Sequence, residues 1–455
     1  MIAELDKKLK ITEQFSHCFQ DHRHPSYIDY ELHNLLTQRI YSIILGYEDV
    51  NDHDLLRYDG ALEIALRKIN NSELKTDILA GKSTINRLEY CPLEIVDQSK
   101  SRYHKIELLA EKMKNMFVEI FLQTYKKEPK SIILDMDVTD DQVHGEQEKA
   151  YFNKYYGGVC YAPLYIFSGR HLLVAKLRPS NVDPAAEALE ELTRVIRLIR
   201  EKWKKTKILV RGDRAYSREE IMNLCEEQPG VDFALAMATN EQLKLKASDI
   251  IDKAKKDYEA RLEPVTELIT SFFGENEDTE MAKKIVPNAK WFRSLCYQTE
   301  KSWRKNRRVV TKVEYGSEGL EIRHVVTSLP PSKITPSLFY TKKYCPRGEM
   351  ENRIKEQQLD LFADRTSTRT FDSNQLRLWF SSIAYVLVQA FREKCLVNTD
   401  FEVATVGTIR LHLMKLGAKI WESARRIKIE ITSACVYQDI LTKVVFKLQL
   451  IPNSG

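Results

Sequence analysis

Apolar and polar positions along this chain follow two periods, and the change between them falls near residue 130. Before it, apolar residues recur at close to helical spacing, as in "YELHNLLTQRIYSIILGY" (30–47) and "RYHKIELLAEKMKNMFVEIFLQTY" (102–125). After it, "KSIILDMDVT" (130–139) alternates, with Ile132, Leu134, Met136 and Val138 on one face and Ile133, Asp135, Asp137 and Thr139 on the other. Two further strand-like runs, "CYAPLYIFSG" and "HLLVAKLRP", flank a hairpin turn at Ser168-Gly169. An amphipathic helix follows in "NVDPAAEALEELTRVIRLIREKWKK", with Pro184 in its first turn. Then come the strand "KILVRGD", a helix "SREEIMNLCEEQ" with a Ser217/Glu220 capping box, and the apolar strand "VDFALAMA". Three strands, helix, strand, helix, strand is the element order of a ribonuclease H-like α/β fold.

The scheme is interrupted from about 241 to 340, where a charged helical stretch precedes "KWFRSLCYQ", "RRVVTKVEYG" and "LEIRHVVTSL", with a hairpin turn near Gly316 and Gly319. "LPPSKITP" closes this segment. Two helices resume the α/β pattern, "YCPRGEMENRIKEQQLDLF" (344–362) and the long apolar "SNQLRLWFSSIAYVLVQAFREKC" (373–395). The expected organisation is a helical N-terminal region (1–128), the first part of a ribonuclease H-like core (129–240), a mostly β insertion (241–340), the last part of the core (341–395) and a basic C-terminal extension (396–455). In the segment 79–94, a small-residue turn before Thr84 is a candidate helix–turn–helix.

With 455 residues, 43% hydrophobic and 30% charged, the chain has the composition of a globular protein rather than a disordered or fibrous one. No apolar run reaches the roughly 18–20 residues needed to span a bilayer. The start "MIAELDKKLKITEQF" lacks the apolar core of a signal peptide, so a cytoplasmic protein with no membrane partner is expected. The net charge of +5 neither demands nor excludes nucleic acid; local clusters decide that. The eight cysteines stand singly without a C-x-x-C pair, which implies reduced thiols rather than a zinc ribbon. His17, Cys18, His22 and His24 match no ligand spacing.

Candidate chemistry enters through carboxylates on apolar strands. A lone carboxylate at Asp137 costs several kcal/mol unless it is paired or holds an ion. The strand Ile208–Val210 ends in a second one, Asp213. If these strands are neighbours, Asp137 and Asp213 meet at one sheet edge. At about 100° per residue, Arg347, Glu351, Lys355 and Gln358 form one polar stripe, beside an apolar stripe of Met350, Ile354 and Leu361. Glu351 is the candidate third carboxylate of a site for two hard divalent cations, Mg²⁺ with Mn²⁺ as a substitute. The plain alternative is a solvated face of ion pairs. In "KSWRKNRRVV", Lys301, Arg304, Lys305, Arg307 and Arg308 surround Trp303, a pattern that suits a phosphate track with a stacking ring. An ordinary charged hairpin with Trp291 and Trp303 as its small core is the alternative.

Tyr344, Arg347 and Glu351 spell Y-x2-R-x3-E, and in this the sequence resembles the DDE transposases of bacterial insertion sequences. Asp137 stands two residues before Thr139, and Asp213 ends a buried strand, as in that family. "LDMDVTDDQVHGEQE", "YYGGVCYAPLYIF", "LRPSN" and "ENRIKE" look like its insertion-sequence thirteen-eighty group, from about residue 23 to the C-terminus. The wider signature has a lysine seven residues after the glutamate, where this chain has Gln358; Lys355 lies one turn after Glu351 on the same stripe.

The resemblance implies an enzyme that cuts at transposon ends and transfers strands into target DNA, with Asp137, Asp213 and Glu351 as catalytic metal ligands. It implies DNA contacts from Tyr344, Arg347 and Lys355, and from Trp303, Arg304, Lys305, Arg307 and Arg308 in the insertion, with Trp303 holding a flipped base. Double-stranded DNA bound partly by residues 1–128, and a homodimer in the synaptic complex, are the implied partners. A silent DNA-binding descendant of a transposase, or another two-metal nuclease of this fold, are the alternatives.

Overall fold

The computed structural model describes residues 1–70, 78–91, 105–273, 278–423 and 426–452. The N-terminal periodicity becomes helices, chiefly α1 (Leu32–Ile44) and α2 (Ala110–Gln123). α2 starts later than its apolar spacing suggests, because Ile106–Leu108 pairs as a strand with Phe19–Asp21. Gln38 of α1 exchanges two hydrogen bonds with the backbone of Ala80, at 2.8 and 3.1 Å, and pins the turn before the helix Lys82–Glu89. Of the expected helix–turn–helix, residues 79–91 are described, as that turn and that helix; residues 92–94 lie outside the described residues.

An eight-stranded mixed sheet forms the centre. Strands β1 (Ser131–Val138), β2 (Leu164–Ser168) and β3 (His171–Lys176) pair antiparallel. Helix α3 (Ala188–Lys202) returns the chain to β4 (Lys207–Gly212), parallel to β1. Helix α4 (Glu219–Glu227) then leads to β5 (Val231–Met237), parallel to β4. α4 begins at Glu219 with Arg218 at its cap and no side-chain cap bond, so the expected Ser217/Glu220 capping box does not form. The alternation of β1 sorts its side chains as anticipated. Ile132, Leu134 and Met136 pack with α3 and α4, while Asp135 and Asp137 turn to the opposite face.

The segment 241–340 corrects the expectation of a mostly β insertion. It opens with short helices around the 26-residue α5 (Ser248–Phe273). Then follow β6 (Ala289–Tyr297), β7 (Arg307–Gly316) and β8 (Gly319–Thr327). Ile250, Ala254 and Tyr258 of α5 need a partner surface, and Trp291, Val313 and Tyr315 of the strands supply it. β8 pairs antiparallel with β5 in the register Ala234↔Thr327, so these strands continue the central sheet instead of building a separate one. The spatial order is β6-β7-β8-β5-β4-β1-β2-β3. Gly319, at φ +88°, supplies the left-handed residue that the tight β7–β8 turn requires.

Beyond the sheet, α6 (Glu349–Lys355) and the long α7 (Phe371–Phe391) cover the face that carries Asp135 and Asp137. α7 is buried nearly all round. Phe380 meets Phe15 edge-on at 5.5 Å, and Leu35, Ile40, Ile383 and Leu387 share one core with Leu441 and Val444 of the C-terminal α8 (Gln438–Leu450). The N-terminal helices, α7 and α8 are therefore held by common burial. Before α8, β9 (Ala418–Ser423) and β10 (Arg426–Ile431) form an isolated hairpin. No helix among the described residues is long and apolar enough to cross a membrane.

Candidate active site

Register between β1 and β4 sets the geometry. Asp135 stands opposite Arg211, and the two form a buried bidentate pair at 2.6 and 2.7 Å, with Arg211 also donating to the carbonyl of Lys343 at 2.6 Å. Asp135 is thereby committed to joining β1, β4 and the helical segment before Arg347. Two residues further along each strand come Asp137 and Asp213, on the same side and within electrostatic reach of one another. Asp213 leaves the sheet as the cap of a short 3-10 turn, its Oδ1 accepting from the Ala215 N–H at 2.8 Å. That turn folds back so tightly that a Cβ at Gly212 would stand 2.9 Å from the ring of the buried Tyr216, so only glycine fits before Asp213.

Residues 336–361 form one helical segment, but not of one winding. Phe339–Tyr344 is π-helical, Cys345–Gly348 is 3-10, α6 is regular and Glu356–Asp360 is π-helical again. The polar stripe survives these changes. Arg347 Nη1 donates to Asp137 Oδ2 at 2.9 Å, while its Nη2 lies 3.8 Å from Glu351 Oε1. Gln358 donates to the carbonyl of Asp140 and to Asp141 Oδ1, each at 2.9 Å. Lys355 is exposed, and Met350, Ile354 and Leu361 are buried as the second stripe requires.

Burial pushes the Asp137 carboxyl up to about 6, and Asp213 adds to the rise, while Arg347 opposes it. Burial also raises the Tyr344 hydroxyl, which the guanidinium of Arg347 partly offsets. Arg347 thus supplies the positive charge among three carboxylates, of which Glu351 has a side chain 55% exposed and open to rearrangement. Asp137 and Glu351 flank the Arg347 guanidinium and Asp213 is within its electrostatic reach, so the chemistry of the donor set is hard oxygen, the kind divalent cations take. Among the described residues no three His, Cys, Asp or Glu side chains converge as a finished cage. His22, from the histidine-rich stretch near the N-terminus, pairs with Glu107 at 3.1 Å.

The aromatic-basic cluster is arranged differently from the expected DNA track. Trp303 is 6% exposed, edge-on to Tyr297 at 5.8 Å, with the Arg307 guanidinium 5.5 Å from its ring. Arg307 is itself buried, held by Glu226 and Asn223 at 2.9 Å and by Glu219. Arg308 donates to Ser294 and to the carbonyls of Leu329 and Ile334. In this structure Trp303, Arg307 and Arg308 face the protein, because α4 presents carboxylates to Arg307 while Ser294 and the 329–334 backbone present oxygens to Arg308. Arg304 and Lys305 remain exposed, with Lys305 paired to Glu226 at 2.8 Å.

Two groups near the site were not singled out from sequence. Arg178, in "LRPSN", is fully buried and donates to the carbonyls of Ala162, Pro184 and Ala186, tying β3 to the approach of α3. Tyr156, in "YYGGV", has its hydroxyl raised by burial and then by Asp140, Tyr155 and Asp137. Both lie in stretches that carried the family resemblance, which was their one visible signal.

A model of the family described as transposase DDE domain group 1 matches residues 1–453. The chain belongs to that family. No curated protein matches it. Among solved structures it is similar to a cryo-EM structure of the piggyBac transposase synaptic complex with hairpin DNA, at 8% identity and a TM-score of 0.40, over 90% of this chain and 76% of that one.

Proposed function

We propose that this chain is a cut-and-paste transposase of the insertion-sequence thirteen-eighty type, built on a ribonuclease H-like core. It would cleave double-stranded DNA at terminal inverted repeats and join the freed ends to target DNA, as a dimer in the cytoplasm at the nucleoid. The observation that supports the reading is that Arg347 donates to Asp137 and faces Glu351, with Asp213 within electrostatic reach of both Asp137 and Arg347. Asp137, Asp213 and Glu351 would hold two Mg²⁺ ions, with Mn²⁺ as a substitute. When bound, these supply charge stabilisation for the attacking and leaving oxygens of an in-line phosphodiester displacement.

The residues of the chain itself do the positioning. Arg347 balances the carboxylates and, with its planar fork, is suited to a phosphate beside the cut. Tyr344 would hydrogen-bond the same backbone. Lys355 and Arg304 are exposed cations that would meet phosphates, and Lys305, exposed but paired to Glu226, would have to exchange that partner for one. The helical region 1–128 would contribute end binding.

The test is cleavage of a supercoiled plasmid carrying the DNA that flanks the native gene, with Mg²⁺, by wild type and by Asp213→Asn and Glu351→Gln. Cuts at defined ends that fall by ~10³-fold or more in both variants, with end binding retained, are expected. Variants that still nick those ends refute the reading, and binding without cutting by wild type points to a silent DNA-binding descendant.

A further inference from the structure

The β9–β10 hairpin stands apart from every other strand. Among the described residues neither strand has a ladder neighbour beyond the other, and a lone two-stranded hairpin is marginal in water. It nevertheless carries large apolar side chains into solvent: Trp421 is 59% exposed, and Ile427, Ile429 and Ile431 are 43%, 56% and 42% exposed. Glu422 on β9 is clasped by Arg67 through two hydrogen bonds, at 2.7 and 2.9 Å, which ties the hairpin to the N-terminal helices. β10 is exposed along its whole length and pairs on one side only, which makes its free edge a template for another strand.

The sequence of β10, Arg-Ile-Lys-Ile-Glu-Ile, is complementary to itself. Laid antiparallel about a two-fold axis at Ile429, it sets Ile427 opposite Ile431 twice and Lys428 opposite Glu430 twice. Like residues share a face because side chains alternate. The two-fold also brings the mate's Ile427 beside Ile431, at the mouth of a groove of about 680 Å³ walled by Leu441, Val445 and Phe446. Over residues 418–431 the sequence carries Lys419, Arg425, Arg426 and Lys428 against Glu422 and Glu430, and Lys428 pairs with Glu430 along β10, so a DNA ribbon is the outcome the test must separate from strand pairing.

We infer that the outer edge of β10 is a homodimer interface, where two copies of this chain join their hairpins into one four-stranded sheet by antiparallel pairing about Ile429. Such an isologous contact closes on itself and caps both edges at once. The inference deepens the two-copy assembly proposed above and rests on that reading for its purpose; its test reads mass, so failure of cleavage and failure of dimerisation are separate results.

The experiment is light scattering on size-exclusion peaks of the full chain, with circular dichroism to verify folding. Wild type is expected at twice the chain mass. Lys428→Glu and Glu430→Lys each place like charges opposite one another twice, and each is expected at the mass of one chain. Mixing the two variants in equal amounts sets a carboxylate opposite an ammonium in both places again and is expected to restore the dimer. A monomeric wild type overturns the inference, and so do single variants that stay dimeric or a mixture that stays monomeric. A monomeric wild type that loses DNA binding with Lys428→Glu would make the hairpin a DNA ribbon and overturns it equally.

Discussion

Arg347 Nη1 donates to Asp137 Oδ2 at 2.9 Å across 210 positions of sequence, joining the helical segment before α6 to the end of β1. Its other amino group faces Glu351 at 3.8 Å, so one guanidinium spans two of the three candidate carboxylates. Under the proposed function this cation competes with bound ions and also positions phosphate. Arg347→Ala is therefore expected to slow end cleavage by about 10–100-fold, while lowering the Mg²⁺ concentration that gives half-maximal rate. Arg347→Lys keeps the charge without the fork and is expected to recover little activity. Rates measured across a Mg²⁺ series check both parts; unchanged rate and unchanged half-saturation would leave Arg347 with a purely structural role.

Asp135 offers the contrasting case two residues away. It shares a face with Asp137, but its oxygens are taken by the Arg211 guanidinium, and both side chains are almost fully buried. Removing one member of such a pair strands the other charge, at a cost of about 3–5 kcal/mol. Asp135→Ala is expected to lower stability by that amount in urea unfolding. Asp137→Asn removes repulsion with Asp213 and keeps a polar group beside Arg347, so its loss of cleavage should come with little change in the unfolding midpoint. Equal destabilisation by both would erase the distinction drawn between them.

What could be read from sequence depended on how local its cause was. The two faces of β1 were legible because alternation is a property of eight consecutive residues, and Asp137 stood out as a carboxylate in an apolar strand. The Arg347–Glu351 stripe was legible because it needs only helical spacing, although the π and 3-10 windings around it left no mark in the residues. Trp303 was legible only as two alternatives, a DNA-facing ring or the small core of a charged hairpin. Its basic neighbours suggest a DNA-facing loop, yet Arg307 is drawn inward by Glu219 and Glu226, which lie 88 and 81 residues away on α4. The place of β6, β7 and β8 in the central sheet was hidden likewise, since it depends on the β5–β8 register and on the apolar face of α5.

Asp141 carries the last consequence, through a bond to the helical segment that bears Glu351. It is fully buried; Oδ1 accepts from Gln358 at 2.9 Å, and Oδ2 has no hydrogen-bond partner among the described residues. Burial pushes its carboxyl up to about 8 from an ordinary 3.8, with Asp364 and Asp140 adding to the rise and Gln358 opposing it. The folded state thus prefers the protonated acid, while the unfolded chain ionises near 4. The stability this group contributes is full below about pH 4, drains away as pH rises toward 8, and is gone above it. Asp141→Asn mimics the neutral acid at every pH. Its unfolding midpoint is expected to match wild type near pH 4 and to exceed it by on the order of 5 °C at pH 9. Thermal unfolding of both proteins at the two pH values decides the matter: parallel pH profiles would mean that Asp141 is ionised in the folded protein and that Gln358 holds a carboxylate rather than an acid.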